Sequence, residues 1–372
     1  MRCENYSSAK QCRYGVQLFL TLMGCIWLMP IQAAPTTEQW HAFNLAVIDQ
    51  HITPRYQQLA IQGDKLLAAS TTLCEKLDEP SLDRAKEAFN LTMDAWQGIQ
   101  HVRFGPVEVL MRNFSMQFWP DKKNHVGKHL ERLVASKDEA LLSTDRFYRL
   151  SVSVKGLPAI ERFLYSEDAL GRLKEDAFRC KVNVRIASYI AEMGNGMVEE
   201  WRIDMRPHFQ NVNKGDEYFE EDLEASTLFL KALVEPLEVI RDLKIDRPLG
   251  RSIDKAKYKR LESWRSGRSL RNIKLNISAL ESLYKGAGSE SDVANVEHLL
   301  ASGDAQSIAL QFQALQSHID SINEPLEEAI RSVQGRKDIQ LLSDKLTQLH
   351  KNLETTLTKN GIHLGFNSRD GD

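Results

Sequence analysis

Cysteine is scarce in this chain: there are five in 372 residues, and three of them, Cys3, Cys12 and Cys25, fall within the first 33. The remaining two, Cys74 and Cys180, are too few for a thiolate zinc cluster or an iron–sulfur centre. Positive charge is not in excess. The 48 Lys and Arg stand against 51 Asp and Glu, giving a formal net charge of −3. Interspersed charges in that balance leave no electrostatic footprint for nucleic acid. Several short motifs are missing as well: there is no His-Glu-x-x-His zinc-peptidase helix, Gly-x-Ser-x-Gly elbow, phosphate loop or dinucleotide fingerprint. Long alternating runs of β-branched residues are absent too. Ser151-Val152-Ser153-Val154 comes nearest to a strand, and four residues make a weak one.

What is present, first, is an export signal. Arg2, Lys10 and Arg13 face a single acid, Glu4, and an apolar run follows from Val16 to Ile31. Small residues close it at Ala33 and Ala34. Positive, apolar and small, in that order, reads as a secretory signal over residues 1–33. The run is shorter than the ~20 apolar residues a membrane span needs. Leu22-Met23-Gly24-Cys25 also has the form of a lipobox, in which Cys25 would carry a lipid anchor. Six apolar residues follow Cys25, whereas a lipobox usually ends the run, so soluble export is the expectation. In an oxidising compartment Cys74 and Cys180 are expected to form one disulfide. Closing a long loop, it would contribute ~2–4 kcal/mol in the chain-entropy model. Two buried free thiols are the alternative.

Nearly every periodic segment has helical spacing. Thr36 and Gln39 form a capping-box pattern opening a helix to about His51. Pro54 restarts the chain into a helix through Cys74. Pro80-Ser81 opens another, with Ala85, Phe89, Thr92, Trp96, Ile99 and Val102 on one face. A break over residues 104–124 follows, then a second capping-box pattern at Ser136 and Glu139. A short apolar helix is expected at 156–167 and a long one at 172–206. The polar stretch Asn211–Asp216 divides the chain into a bundle over 34–210 and another over 211–372. In the second, Ile308, Phe312, Leu315, Ile319 and Ile322 recur at bundle-seam spacing. The fold class is all-α, read as two helical bundles in tandem.

The candidate chemistry competes with ordinary packing. His125 and His129 have the i, i+4 spacing of metal ligands, but Gly127 lies between them in a polar stretch. His318 and Asp320 are two apart, point in different directions on a helix and read as surface residues. Ser266 and Ser269 offer hydroxyls near a helix start, where capping is the plainer role. Trp96, Trp201 and Trp264 sit on apolar faces that read as core. Glu161 is the most informative residue. It lies in the short apolar segment Gly156-Leu157-Pro158-Ala159-Ile160-Glu161, where burying a carboxylate is costly unless it is paired or liganded. A salt bridge to an arginine such as Arg162 and a ligand contact stand as equal readings.

These residues carry a resemblance to the imelysin family of exported bacterial proteins, over nearly all of the chain after residue 33. Trp96 followed by Phe104-Gly105-Pro106 is similar to the family's first-half pattern. Gly156 to Glu161 aligns with its Gly-x-His-x-x-Glu hallmark, the Ser266/Ser269 segment with its second half, and Gly365 to Asp372 with its ending. The resemblance implies a duplicated pair of helical bundles, a site where they meet, a periplasmic location, and a link to iron uptake. It also implies a peptidase name. Pro158 stands where the family has histidine and offers no donor atom, which argues against a metallopeptidase and leaves no catalytic residue to name. The expected function is therefore binding of a ligand or partner in iron acquisition, with iron, haem or a siderophore as the ligand. A metallopeptidase, or a non-catalytic docking protein for a membrane transporter component, is the alternative. Glu161, Gly156, Arg103, Ser266 and Ser269 are the candidate site residues. Arg103 is included because it immediately precedes Phe104-Gly105-Pro106, where a helix end meets a loop.

Overall fold

The computed structural model describes residues 34–286 and 295–365; the expected export signal with Cys25, and the terminal residues 366–372, lie outside them. All regular structure among the described residues is helical. The capping box is formed as expected: Thr36 accepts from the Gln39 backbone N–H, and the Gln39 side chain accepts from Thr36 N–H at 2.8 Å. From it α1 (Thr37–Ala46) runs through a π-helical turn, Val47–Ile52, directly into α2 (Thr53–Lys76). Pro54 therefore does not restart the chain. The widened turn accommodates it, because Thr53 N–H bonds back five residues to Ile48 O and the helix continues past the missing proline donor.

The other long helices are α3 (Glu79–Gln97), α4 (His125–Ser136), α5 (Leu157–Leu164), α6 (Ala177–Glu200) and α7 (Asp222–Val239). Then come α8 (Ser269–Lys285), α9 (Ser302–Ser321) and α10 (Val333–Lys359). Two further π-helical segments extend α6 at Trp201–Met205 and α7 at Ile240–Asp246. In place of one helix over 172–206, a short helix Ala169–Glu175 precedes α6, and Asp176 caps α6 by accepting from Phe178 N–H. Ser136 ends α4 and caps nothing; Asp138 caps the 3-10 turn Glu139–Leu142 instead. Asp138 has the shorter reach to the Ala140 N–H, at 3.0 Å. The weak strand candidate is a 3-10 turn, Val152–Val154.

In the first half α2 packs between α3 and α6. Small residues allow the close approach: a Cβ on Gly194 would sit 3.0 Å from Ala60 Cα. Cys74 on α2 and Cys180 on α6 are joined by the expected disulfide, with Cα atoms 5.4 Å apart. In the second half α9 and α10 pair while α7 lies against α10. The seam of Ile308, Phe312, Leu315 and Ile319 is buried as its spacing requires. The fold is a helical bundle. Asn211–Asp216 forms a turn ahead of α7, and the chain packs across it. Asn44 on α1 donates to Asp222 O at 2.9 Å and accepts from Ser226 Oγ at 2.7 Å. The described residues from Pro35 onward accordingly form one compact unit.

One internal contact has a clear thermodynamic signature. His51, on the first π turn, and His101 are both buried, with their Nε2 atoms 2.8 Å apart. One ring must donate to the other, so the accepting ring is neutral, and each Nδ1 lacks a partner among the described residues. Burial, reinforced by Arg55, pushes both far below the ordinary 6.5, His101 to about 3. A base whose folded pKa is depressed binds its proton more readily when unfolded. The stability it supports is present above about pH 6.5 and is lost as pH falls toward 3. The urea midpoint should decline over that window, and the double variant His51→Leu/His101→Leu should decline less steeply. Equal slopes would show that the pair is not neutral when folded.

Candidate functional site

The site is set by a buried ion pair. Lys244, on the π segment after α7, and Glu262 lie 2.8 Å apart with side chains 4% and 3% exposed. All three ammonium protons are used, the other two on Gln97 Oε1 at 3.0 Å and Asn276 Oδ1 at 2.7 Å. Glu262 also accepts from Asn272 at 2.9 Å and from Gln117 at 3.0 Å, and Gln117 in turn accepts from Trp96 at 2.6 Å. Burial pulls the Lys244 pKa down while Glu262 opposes it. Such a pair is sustained only when its remaining hydrogen-bonding capacity is met, and here it is. The network joins α3, the 117–119 segment, the π segment Ile240–Asp246 and α8. It thereby fixes the chain over residues 259–266. Arg268, donating to Asn90 at 3.1 Å and to Asp94, pins the same segment to α3.

Opposite that segment stands α5. Gly156 opens it at φ +73°, where a Cβ would fall 2.1 Å from Ser115 O, so only glycine fits. Pro158 occupies the first turn, where its missing N–H costs nothing. One turn on, Glu161 is 4% exposed. Its Oε1 accepts from Ser266 N–H at 3.0 Å and from Ser266 Oγ at 2.6 Å. Burial raises the Glu161 pKa, and the two Ser266 bonds and the guanidiniums of Arg265 and Arg162 counter it. Of the two readings open for Glu161, the arginine salt bridge is not formed: its direct partner is a serine from the other half of the chain.

Between these elements lies a cleft of about 630 Å³. Pro158 and Glu161 line it from α5, and Trp119 and Asp121 from the long break after α3. Glu262, Trp264 and Arg265 line it from the facing segment. Its electrostatics are lopsided, with eight lysines and arginines against three carboxylates. Each carboxylate is engaged within the protein. Glu161 serves Ser266 and Glu262 serves Lys244, while Asp121 accepts from the His125 and Val126 N–H groups at the start of α4. Arg265 stacks on Trp264, 4.1 Å from the ring centre.

With the geometry in hand, comparison with known proteins is informative. The family model described as Imelysin matches residues 52–353. The chain belongs to the imelysin family. It is 22% identical over 354 residues to iron-regulated protein A of Synechococcus elongatus, covering 88% of this chain and 92% of that protein. An imelysin-like protein from Psychrobacter arcticum has a similar fold, with a TM-score of 0.71 at 20% identity, over 90% of this chain and all of the other. A protein from Parabacteroides distasonis assigned as an iron-regulated protein A precursor has a TM-score of 0.74 at 14% identity, over 88% and 97% of the two chains.

In this imelysin the hallmark segment keeps its glycine and glutamate, and the structure gives them different work. Gly156 serves the backbone, whereas Glu161 faces the cleft. Ser266 reaches Glu161. Ser269 does not face the cleft: it donates to Glu262 O at 2.7 Å and pairs with Glu327. Neither serine caps α8, whose N-terminus has no side-chain cap. Arg103 is exposed, does not line the cleft, and has Glu108 and Glu235 as its charged neighbours. His125 and His129 lie on one face of α4, rings 5.3 Å apart, but His129 is engaged by Ser153 at 2.7 Å. No group of three metal-ligating side chains occurs among the described residues. Trp96 and Trp201 are core, while Trp264 lines the cleft. Sequence reasoning missed Lys244, Glu262 and Arg265. A charged pair 18 residues apart has no periodic signature, and no motif or spacing marks Arg265.

Removing one member of the buried pair leaves the other charged and uncompensated. Lys244→Met should lower unfolding stability by about 3–5 kcal/mol. The double variant Lys244→Met/Glu262→Leu should recover part of that loss, both read from denaturant midpoints. A loss below about 1 kcal/mol in the single variant would show that the pair contributes no more than a surface bridge.

Proposed function

We propose that this imelysin acts outside the cytoplasm as a binding protein linked to iron acquisition, and that it takes an iron-bearing ligand in the cleft over Glu161. The observation that carries this reading is that the family's hallmark helix opens on a sizeable cleft between the two halves of the chain, with aromatic and charged walls. The relatives named for iron regulation support the iron link, and the Cys74–Cys180 disulfide fits an oxidising compartment. Binding is preferred to peptide hydrolysis because Pro158 brings no ligand atom and the described residues offer no metal-binding trio beside Glu161. A docking role draws on a separate feature, the exposed tip Val109-Leu110-Met111, in which Leu110 is 70% exposed. Leu110 and Met111 both hold left-handed backbone there.

Trp264 and Trp119 report occupancy directly. Titrating the protein from residue 34 onward with ferric citrate, and separately with haemin, should give saturable quenching of tryptophan fluorescence. Trp264→Ala should weaken the binding at least tenfold while preserving the helical circular dichroism. Absence of saturable binding by either complex would remove the reading.

A further inference from the structure

The charge of the cleft identifies the kind of ligand it accepts. Arg162 and Arg265 both line the cleft with Glu161, the charge of Arg265 bears on Arg162, and neither forms an ion pair among the described residues. Burial first, and then the neighbouring Arg265, pushes the Arg162 guanidinium down to about 10, so it stays charged at neutral pH under repulsion. The other cleft cations, among them Lys128, Arg247, Lys259 and Arg260, likewise lack carboxylate partners among the described residues. Arg162 is held in place nonetheless. Its guanidinium donates to Asn124 Oδ1, and the absence of a side chain at Gly127 makes room for it, since a Cβ there would fall 2.7 Å from Arg162 Nη1. Arg265 is held by stacking on Trp264. Two like charges positioned side by side, with every nearby carboxylate already engaged, form a site that a negative group would relieve.

The geometry points to an oxyanion-binding site, in which Arg162 and Arg265 together grip the carboxylate or phosphate groups of the ligand. Resting on the iron-binding reading, this makes the cargo an anionic chelate, with the iron enclosed by the ligand's own oxygens. A bare cation is disfavoured twice over: it would meet eight positive side chains, and Glu161 already accepts two hydrogen bonds from Ser266. Trp119 and Trp264 supply flat apolar walls beside the cations.

The test is calorimetric titration of the protein from residue 34 onward with five probes: ferric citrate, citrate alone, inorganic phosphate, haemin, and Zn²⁺ or anaerobic Fe²⁺ without chelator. Ferric citrate should bind, and its affinity should fall as salt is raised. Arg162→Gln and Arg265→Gln should each weaken it at least tenfold. Gly127→Ala, which crowds Arg162 without changing charge, should weaken it in the same direction. Binding of citrate alone as tightly as ferric citrate would keep the oxyanion site and overturn the metal-borne cargo. Phosphate as the tightest binder would overturn it in the same way and make the source a phosphate. Stoichiometric uptake of the bare metal, abolished by Glu161→Gln, would overturn the inference while sparing the iron-binding function. Haemin binding indifferent to both arginine variants would do the same, and failure of every probe would sink both.

Discussion

The Lys244–Glu262 ion pair is the constraint on which the rest of the site depends. Residues 259–266 contain no α-helix, so they have no repeating hydrogen-bond ladder to hold them. They are held by Glu262, whose carboxylate gathers donors from three separate stretches of chain. With Glu262 anchored, Ser266 arrives within 2.6 Å of Glu161 and Arg265 arrives beside Arg162. An exposed pair could not do this, because its energy would be comparable to thermal noise. Buried and fully satisfied, the pair makes any other placement of the segment costly, since moving it would strand a charge away from water.

The π-helical segments supply the second element of the design. His51, Lys244 and Trp201 each sit on one of the three, at places where a helix widens by a residue and its side chains re-aim. Lys244 gains its inward direction on such a turn, and Trp201 is fully buried on another. The same turn in α1–α2 carries the helix past Pro54. The first joins α1 to α2 and the other two extend α6 and α7 at their C-terminal ends, so each shifts the facing of residues without breaking the rod it belongs to.

Much of the architecture was legible in the sequence because helical burial has a period. The seam from Ile308 to Ile319, the capping box at Thr36 and Gln39, and the Cys74–Cys180 pairing follow from local spacing or simple counting. The all-α class follows equally from the lack of alternating runs. What stayed hidden is long-range. Nothing in the spacing of Ser266 says that it serves Glu161, 105 residues earlier, rather than the helix start beside it. Ser136 and Glu139 have capping-box spacing, yet Asp138, two residues from the N–H it accepts, wins the position. Gly127 and Gly156 prove to be places where another group must come close. The imelysin resemblance led to the helix that carries Glu161, which lines the cleft. The charge of the cleft that helix faces comes from segments far apart in the chain.

The account therefore rests on how the cleft deals with charge, and one measurement addresses it directly: a crystal structure of the protein grown with ferric citrate. The account predicts carboxylate oxygens at hydrogen-bonding distance, about 2.7–3.2 Å, from both Arg162 and Arg265. Glu161 should still be bonded to Ser266, and the iron should be ligated only by the chelate. An iron atom bound directly by the Glu161 carboxylate, with the two arginines turned away, would contradict it.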